Sequence, residues 1–360
     1  MQEMQRIRSD MRQPGFILVL TFFILSAAVV LVTYLVTRVI ADQQVSGFVI
    51  ERERNKQLAL AGVELIKSKL DLGKESKERK ASLEWLFTVL NRWTEIPLKA
   101  GQDGIDGTLF FYISAEDGKI NLNRFYDQNK KVFKLPNTPE EKKTWGIISE
   151  GVRKQFPNDF SLIEEIEKVL KKRKKPLEDL SELFLDPTDP SKESFPFVPI
   201  SYFPVLPTGE KTEDGKEEPL AFALSDLFTV TSDVTNIDKV KPIYLSHWLT
   251  VALGLNPWPT SKDERKKLAK KLADKVEPAN PQLTWSSEWD TLLAPVFGKK
   301  FAALDKGVSG MFEGQGRAKN LSVVCYGKTG ERSQGVFALL QMKSGDDNRV
   351  FYVIKRWYWI

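Results

Sequence analysis

An uncharged apolar stretch near the amino terminus constrains the fold more than any other feature. It runs from Phe16 to Thr37, 22 residues without a formal charge, and reads FILVLTFFILSAAVVLVTYLVT. At about 1.5 Å rise per residue, a helix of this length crosses a hydrocarbon core of roughly 30 Å. Residues 16–37 are therefore predicted to form a transmembrane helix, in a protein that crosses the membrane once.

The flank before this stretch predicts its orientation. It holds Arg6, Arg8 and Arg12 against Glu3 and Asp10. Because a net basic flank stays in the cytoplasm, the amino terminus is predicted to be cytoplasmic and the domain after the helix to lie outside. A cleaved secretory signal would have a shorter apolar core ending in small residues. An uncleaved signal anchor remains an alternative.

The helix is predicted to continue beyond the membrane, since no proline follows the apolar stretch until Pro97. Small and apolar residues recur at the spacing of one helical stripe: Ala59, Gly62, Val63, Ile66 and Leu70. We therefore expect the upper part of the helix to pack its stripe on a globular domain.

Charge and composition argue against nucleic-acid binding. The 53 basic residues are nearly balanced by 48 acidic ones, and the longest basic run, 171–175, follows three glutamates within ten residues. A run of this kind is typical of a solvated helix face. The chain offers no stripe of interleaved aromatic and basic residues.

The sequence also argues against an enzyme. It holds one cysteine, Cys325, in an alternating strand-like run, where it is predicted to be a small buried apolar residue. Its one histidine, His247, lies in an apolar helix beside Trp248 and is predicted to be a packing residue. Phosphate-binding glycine loops, serine nucleophile elbows and paired-histidine helices are missing from the sequence. A membrane-anchored enzyme or receptor is the alternative from another class.

The rest of the chain predicts an α+β fold in which a large, mostly helical region is inserted into an antiparallel sheet. The periodicities predict a helix over 82–95, a strand over 108–113, a turn at 116–118 and a returning strand over 119–122. Capping boxes begin at Thr138, Ser161 and Ser261. Shorter elements are predicted around 177–184, 227–231 and 244–253, and a proline-rich extended segment with aromatic residues over 187–219. Strands 321–326, 334–342 and 349–359 form a carboxy-terminal meander.

The start of the chain resembles the processing site of the type IV pilin-like superfamily. Arg12-Gln-Pro-Gly15-Phe16, directly before the apolar helix, is similar to the leader that prepilin peptidase removes. The resemblance implies cleavage between Gly15 and Phe16 and methylation of Phe16. Most members carry Glu at the fifth mature position, whereas this chain has Leu20. That departure resembles the K-type minor pseudopilins of type II secretion systems.

A second block resembles the same family. Ala115-Glu-Asp-Gly-Lys-Ile-Asn-Leu-Asn123 matches an acidic turn, a glycine, a basic residue and an Asn-apolar-Asn element. The matching residues are Glu116, Asp117, Gly118, Asn121 and Asn123. A weaker echo occurs at Asn236-Ile-Asp238, where the last residue departs. Together they imply two helical subdomains inserted into a pilin-like α/β domain.

The resemblance implies a structural role at the tip of the periplasmic pseudopilus, initiating assembly for protein export across the outer membrane. The implied partners are the I- and J-type minor pseudopilins, the major pseudopilin, prepilin peptidase and the inner-membrane assembly platform. Calcium is implied by the family only; Asp103, Asp106, Asp186 and Asp189 are the candidate ligands, and solvated turns are the other interpretation. A minor type IV pilin or pilus-assembly protein is the nearest alternative.

The predicted boundaries follow from these features. We expect a cleaved leader over 1–15, a transmembrane helix over 16–37, and the helix continuation with the first part of the α/β domain over 38–123. A first inserted subdomain is expected over 124–225, a strand and second helical subdomain over 226–300, and the closing strands over 301–360.

Overall fold

The computed structural model describes residues 13–71, 75–134, 136, 138–154, 161–184, 202–206, 221–230, 239–277, 285–312, 316–345 and 349–360. For residues 13–17 only the backbone is described. The described chain divides into two compact units, Met1–Arg54 and Asn55–Ile360. The predicted Asn236 element and the acidic residues Asp186 and Asp189 lie outside the described residues.

Along the sequence of the second unit, the strands of the main sheet lie near its beginning and at its end, and most of the helices lie between them. The helices are α1 (Gln13–Lys69), α2 (Ser76–Val89), α3 (Ala100–Asp103), α4 (Pro139–Arg153), α5 (Leu162–Lys172), α6 (Leu224–Leu227), α7 (His247–Ala252), α8 (Lys262–Val276), α9 (Trp285–Leu292), α10 (Ala294–Phe297) and α11 (Lys306–Gly310). The strands are β1 (Trp93–Leu98), β2 (Gly107–Ala115), β3 (Ile120–Asn121), β4 (Tyr126–Asp127), β5 (Val132–Phe133), β6 (Phe228–Thr229), β7 (Asn320–Thr329), β8 (Arg332–Ser344) and β9 (Val350–Trp359).

The main sheet has five strands in the order β1-β2-β7-β8-β9, and all neighbouring pairs are antiparallel. Strands β2 and β7 are neighbours in space although the whole helical region separates them in sequence. The predicted α+β class, antiparallel sheet and inserted helical region are therefore confirmed. The separate subdomain boundaries within 124–300 stay predictions.

In the first unit, α1 is an exposed apolar rod. Each described side chain from Leu18 to Arg54 is exposed, including Phe22 at 73% and Phe48 at 52% of its area. It is the one helix in the described chain long and apolar enough to cross a membrane. The serine and threonine hydroxyls within 16–37 donate to carbonyls of the preceding helical turn, as for Ser26 Oγ to Phe22 O at 2.8 Å. This bonding keeps them compatible with lipid.

In the second unit, the carboxy-terminal part of α1 packs on the sheet through the predicted stripe. Ala59, Val63, Ile66 and Leu70 are at most 1% exposed. A Cβ at Gly62 would overlap the Cys325 thiol of β7, so the glycine lets helix and strand approach closely. The side chain of Asn55 joins the β7–β8 turn, accepting from Thr329 Oγ1 at 2.7 Å and donating to Arg332 O at 3.1 Å.

The opposite face of the sheet carries a smaller aromatic cluster. Tyr112, Val324, Phe337 and Leu339 are buried there. Phe203, from the proline-rich segment, covers them with its ring 4.8 Å from Phe337. The proline-rich segment therefore packs on the sheet at Phe203.

Two local predictions were wrong because tertiary pairing overrides local pattern. The helix predicted over 82–95 ends at Val89, and residues 93–98 form edge strand β1 opposite β2. The strand predicted to return over 119–122 is β3, which pairs in parallel with β6 and not with β2. Pairing with a distant segment leaves no mark in a short stretch of sequence.

Of the three predicted capping boxes, only Thr138 forms one. Glu141 N donates to Thr138 Oγ1 at 3.1 Å, and Thr138 N donates to Glu141 Oε2 at 3.3 Å. Ser161 and Ser261 precede α5 and α8 without a side-chain bond to the helix. The motif therefore located the helix starts at 161 and 261, while the cap contact itself was wrong there.

Candidate functional site

The residues of the family-like block form a buried polar joint, which we define as Glu116, Asp117, Gly118, Lys119, Asn121 and Asn123. It begins with a 3₁₀ turn over Glu116–Gly118, directly after β2. The charged and amide side chains are at most 8% exposed. The sequence predicted a turn at 116–118 without indicating whether it is buried, so the burial of this block is a finding of the tertiary structure.

The first contact of the joint is a buried ion pair. Lys119 Nζ lies 2.5 Å from Glu116 Oε1 and donates to Ser322 Oγ of β7 at 2.9 Å. Thr229 Oγ1 of β6 donates to the other carboxylate oxygen of Glu116. Breaking such a pair leaves an unpaired buried charge, which is strongly destabilising. The pair therefore fixes β6 and β7 against the end of β2.

The second contact joins the turn to residues 241 and 319, which precede and follow helices α7 to α11. Asp117 Oδ2 accepts from Lys241 Nζ at 2.8 Å and from Lys319 N at 2.9 Å. The Asp117 carbonyl also accepts from Lys241 N at 2.8 Å. One side chain thus holds residue 241 beside residue 319, just before β7 begins.

Gly118 allows the closest backbone approach in the joint. A Cβ at this position would overlap the Tyr244 carbonyl group and lie 2.9 Å from Leu245 N. The Gly118 carbonyl accepts from Ser246 N at 3.2 Å. Only glycine fits between this turn and residues 244–246, which gives the glycine of the predicted motif a physical reason.

The two asparagines hold a further segment. Asn123 donates Nδ2 to Leu177 O and accepts Leu177 N on Oδ1, both at 2.8 Å, so its amide pairs with the main chain as a neighbouring strand would. Asn121 Oδ1 accepts from Asn123 N at 3.1 Å. The joint therefore also positions residue 177, which follows helices α4 and α5 in the sequence.

A second buried carboxylate, that of Asp226, was not predicted from the sequence. Asp226 of α6 is 1% exposed and accepts from Tyr112 Oη at 2.9 Å and Trp248 N at 3.1 Å. Burial raises the pKa of Asp226 to about 6. Its Leu-Ser-Asp-Leu setting was the only local sign that this carboxylate would be buried.

Cys325 and His247 take up the predicted packing positions. The Cys325 thiol is fully buried against α1, and burial raises its pKa. The His247 ring packs edge-on against Trp248 at 5.2 Å. Burial, aided by the positive charge of Arg265, lowers the pKa of His247 to about 4. The two residues pack on different elements.

The calcium expectation stays a prediction. Asp103 Oδ2 accepts from Lys99 N at 2.9 Å, and Asp106 Oδ1 accepts from Ala100 N at 2.8 Å, so both carboxylates hold the start of α3. Within the described ranges, three or more metal-binding side chains do not come together at one place.

The described residues form an α+β protein with one candidate membrane-spanning helix and a scaffold of buried polar contacts. Glu116, Asp117 and Lys119 each bond to other protein groups, so the joint presents no open acid, base or nucleophile to a substrate. What the arrangement can do is hold distant segments at fixed positions.

Comparison with known proteins gives a structural likeness and no match by sequence. No protein-family model matches the chain, and no curated protein matches its sequence. A solved structure aligns over 90% of this chain and 99% of the other, with 13% identity and a TM-score of 0.37. It is the crystal structure of the GspK-GspI-GspJ complex from the enterotoxigenic Escherichia coli type 2 secretion system. At this identity and TM-score, the likeness assigns neither fold nor function to this chain.

Substituting Gly118 tests the joint. Gly118→Ala should lower the free energy of unfolding by about 3 kcal/mol or more, because backbone must move to admit the methyl group. Gly146→Ala, in the middle of α4 with open space around it, should stabilise by up to about 1 kcal/mol. Urea unfolding of both variants measures the difference. Equal effects would contradict the close approach.

A pH titration tests Asp226. Its folded pKa lies above that of an unfolded aspartate, so its stabilisation is complete below about pH 4 and is lost as the pH rises through about 6. Relative to Asp226→Asn, the wild type should lose about 3 kcal/mol of unfolding free energy across that range. Asp263→Asn, at an exposed position of α8, should leave the pH dependence unchanged. A wild-type profile parallel to that of Asp226→Asn would show that Asp226 titrates normally.

Proposed function

We propose that this chain is a K-type minor pseudopilin, a membrane-anchored structural subunit of a type II secretion pseudopilus. The observation that carries the proposal is the leader sequence Arg12-Gln-Pro-Gly15-Phe16 placed at the start of α1, whose described side chains up to Arg54 are exposed. A processed leader followed by an apolar helix is the arrangement of the pilin-like superfamily.

The exposed part of α1 supports an assembly role. Apolar side chains from Leu18 to Ile50 lie exposed over several helical turns, which is far more apolar surface than a protein leaves in water. Lipid covers such a rod before assembly, and helices of neighbouring subunits can cover it afterwards. Burial at roughly 25 cal/mol per Å² of apolar area would favour that exchange only where the neighbours fit.

The charge distribution supports the orientation. Arg6, Arg8 and Arg12 precede the apolar segment, so the leader faces the cytoplasm, where prepilin peptidase acts, and the second unit lies in the periplasm. The inner membrane, the assembly platform and the major pseudopilin are the surroundings that this role requires.

The tip position rests on two features. Leu20 stands where most pilin-like subunits have Glu, so the chain has no carboxylate there to offer the amino group of a neighbour above it. The helical region between β2 and β7 also adds bulk that a subunit inside a stack would have to accommodate. Both features suit a subunit that joins the I- and J-type minor pseudopilins at the end of the fibre and initiates assembly.

Leader processing tests the family assignment. In cells with an active prepilin peptidase, the purified protein should begin at an N-methylated Phe16, and Gly15→Leu should retain Met1. Gly47→Leu, at an exposed glycine of α1 with open space around it, should be processed normally. Amino-terminal mass spectrometry distinguishes these products. An intact Met1 in the wild type would refute the assignment.

Cysteine cross-linking tests the tip position. In a Cys325→Ala background, cysteines at Lys143 and Lys171, whose side chains are 65% and 62% exposed, should not cross-link to the major pseudopilin. A cysteine at Val45 of α1 is the control, because a helix inside the fibre should cross-link to its neighbours. Efficient cross-links from Lys143 or Lys171 to the major subunit would place this chain within the stack.

A further inference from the structure

The two outer strands of the five-stranded sheet differ in how their edges are protected. Within the described residues the sheet ends at β1 on one side and at β9 on the other. Strand β1 has six residues, contains Pro97 and exposes Glu95, and such features keep an edge strand from pairing with another chain. Strand β9 has ten residues and contains neither proline nor an acidic residue. A bulge at Lys355 interrupts its pairing with β8, so its regular edge is the part that follows, residues 356–359.

The hydrogen-bond ladder shows which backbone groups of β9 face away from the sheet. Ile360 N donates to Gly335 O of β8 at 3.1 Å, and the register is regular back to residue 356. Hydrogen-bonded pairs alternate with other pairs along an antiparallel ladder, so the N–H and C=O groups of Trp357 and Trp359 face away from β8. In the described part of the chain, no further strand pairs with this side of β9. The edge therefore offers donors and acceptors at every second residue.

The side chains at the same two positions are exposed aromatic rings. Trp357 is 47% exposed and Trp359 is 36% exposed, and their rings meet edge-on with centres 5.4 Å apart. On the opposite face of the sheet, Phe203 packs on Tyr358 with ring centres 5.5 Å apart, so that side is covered by the chain itself. Adjacent exposed tryptophans are typical of an interaction surface, because aromatic residues often anchor protein interfaces.

The charged side chains beside the two tryptophans are basic. Lys355, at the bulge, is exposed, and Lys56 Nζ lies 5.3 Å from the centre of the Trp359 ring. Arg356 points to the opposite face of the sheet, where it pairs with Asp179 at 2.7 Å. Because complementary charges steer and align binding partners, a ligand of this edge should carry a carboxylate near Lys355.

We propose that residues 356–359 bind an extended segment of a partner protein as an additional antiparallel strand of the sheet. Its apolar side chains pack on Trp357 and Trp359, and an acidic side chain lies beside Lys355. A strand fits better than a lipid surface, because hydrocarbon cannot bond to the outward N–H and C=O groups. A second copy would bring two basic edges together, which is unfavourable. The proposal does not depend on the proposed function.

A designed peptide tests the strand geometry. The probe is a fluorescein-labelled Thr-Val-Thr-Val-Thr-Glu-Thr amide, and its binding to full-length protein in detergent is measured by fluorescence anisotropy against micelles alone. In antiparallel pairing its valines lie opposite Trp359 and Trp357, and its glutamate lies beside Lys355. Methylating the backbone nitrogens of both valines removes the N–H groups that would face β9 but keeps the side chains. The wild type should bind the first peptide saturably and not the methylated one; equal binding of both, or of neither, would overturn the proposal.

Charge exchange tests the predicted register. Lys355→Glu should weaken binding of the glutamate peptide and strengthen binding of a peptide with lysine at that position. Lys343→Glu, at an exposed lysine of β8, should change neither. Trp357→Thr should weaken binding by about tenfold or more and should fold, because the side chain is half-exposed and threonine suits a strand; a melting temperature close to that of the wild type checks this. Unchanged binding in Trp357→Thr would contradict the assigned surface.

Photo-cross-linking identifies the natural occupant of the edge. Trp359 is replaced by benzoylphenylalanine, which keeps an aromatic ring, in the full-length chain in membranes of the producing cells. Mass spectrometry of the cross-linked product should give one segment of one partner protein, with an acidic residue in it. The product should disappear when Lys355→Glu is added, and the same photoreactive residue at Glu95 of β1 should not give it. Cross-links only to this chain, to a second copy or to lipid, or no cross-link at all, would refute the proposal.

Discussion

The insertion of a large helical region between two neighbouring strands depends on one buried ion pair. Glu116 and Lys119 follow β2 within four residues, and their charges pair with each other. Ser322 of β7 accepts a hydrogen bond from Lys119, and Thr229 of β6 donates one to Glu116. Because the chain leaves the sheet at residue 115 and enters it again at residue 320, contacts must hold these two positions close together. The ion pair, the Asp117 contacts to residues 241 and 319, and the close approach at Gly118 do this.

Helix α1 lies in two different environments, and the size of its side chains suits each of them. Before Asn55 its apolar residues are large and exposed, as a lipid or helix-bundle environment requires. From Asn55 onward one side carries small or branched residues, and Gly62 lets the helix approach β7 closely. The amide nitrogen and the amide oxygen of Asn55 both hydrogen-bond to the β7–β8 turn. One continuous helix can therefore serve as both membrane anchor and part of the domain core.

Two buried groups show how the interior departs from a purely apolar core. Asp226 gains two donors, yet its carboxylate still protonates more readily than in water because burial disfavours its charge. The guanidinium carbon of Arg265 lies 5.5 Å from the centre of the Trp258 ring. Both groups are therefore held by other parts of the same chain, Asp226 by hydrogen-bond donors and Arg265 by an aromatic ring.

The sequence by itself determined the features that depend on neighbours along the chain. The apolar length of residues 16–37, the stripe from Ala59 to Leu70, the Thr138 capping box and the alternating closing strands all follow from local periodicity, because their partners lie within a few residues or on a continuous face.

Only the tertiary structure decided the features that depend on distant partners. Strand β1 exists because β2 lies beside it, and β3 pairs with β6 across more than a hundred residues. The block from Glu116 to Asn123 could be recognised as a motif, but its burial, and the burial of Asp226 and Arg265, arise from segments that meet only in the folded chain. A carboxylate or guanidinium looks the same in sequence whether it is solvated or buried, and only its final surroundings set its charge and its partners.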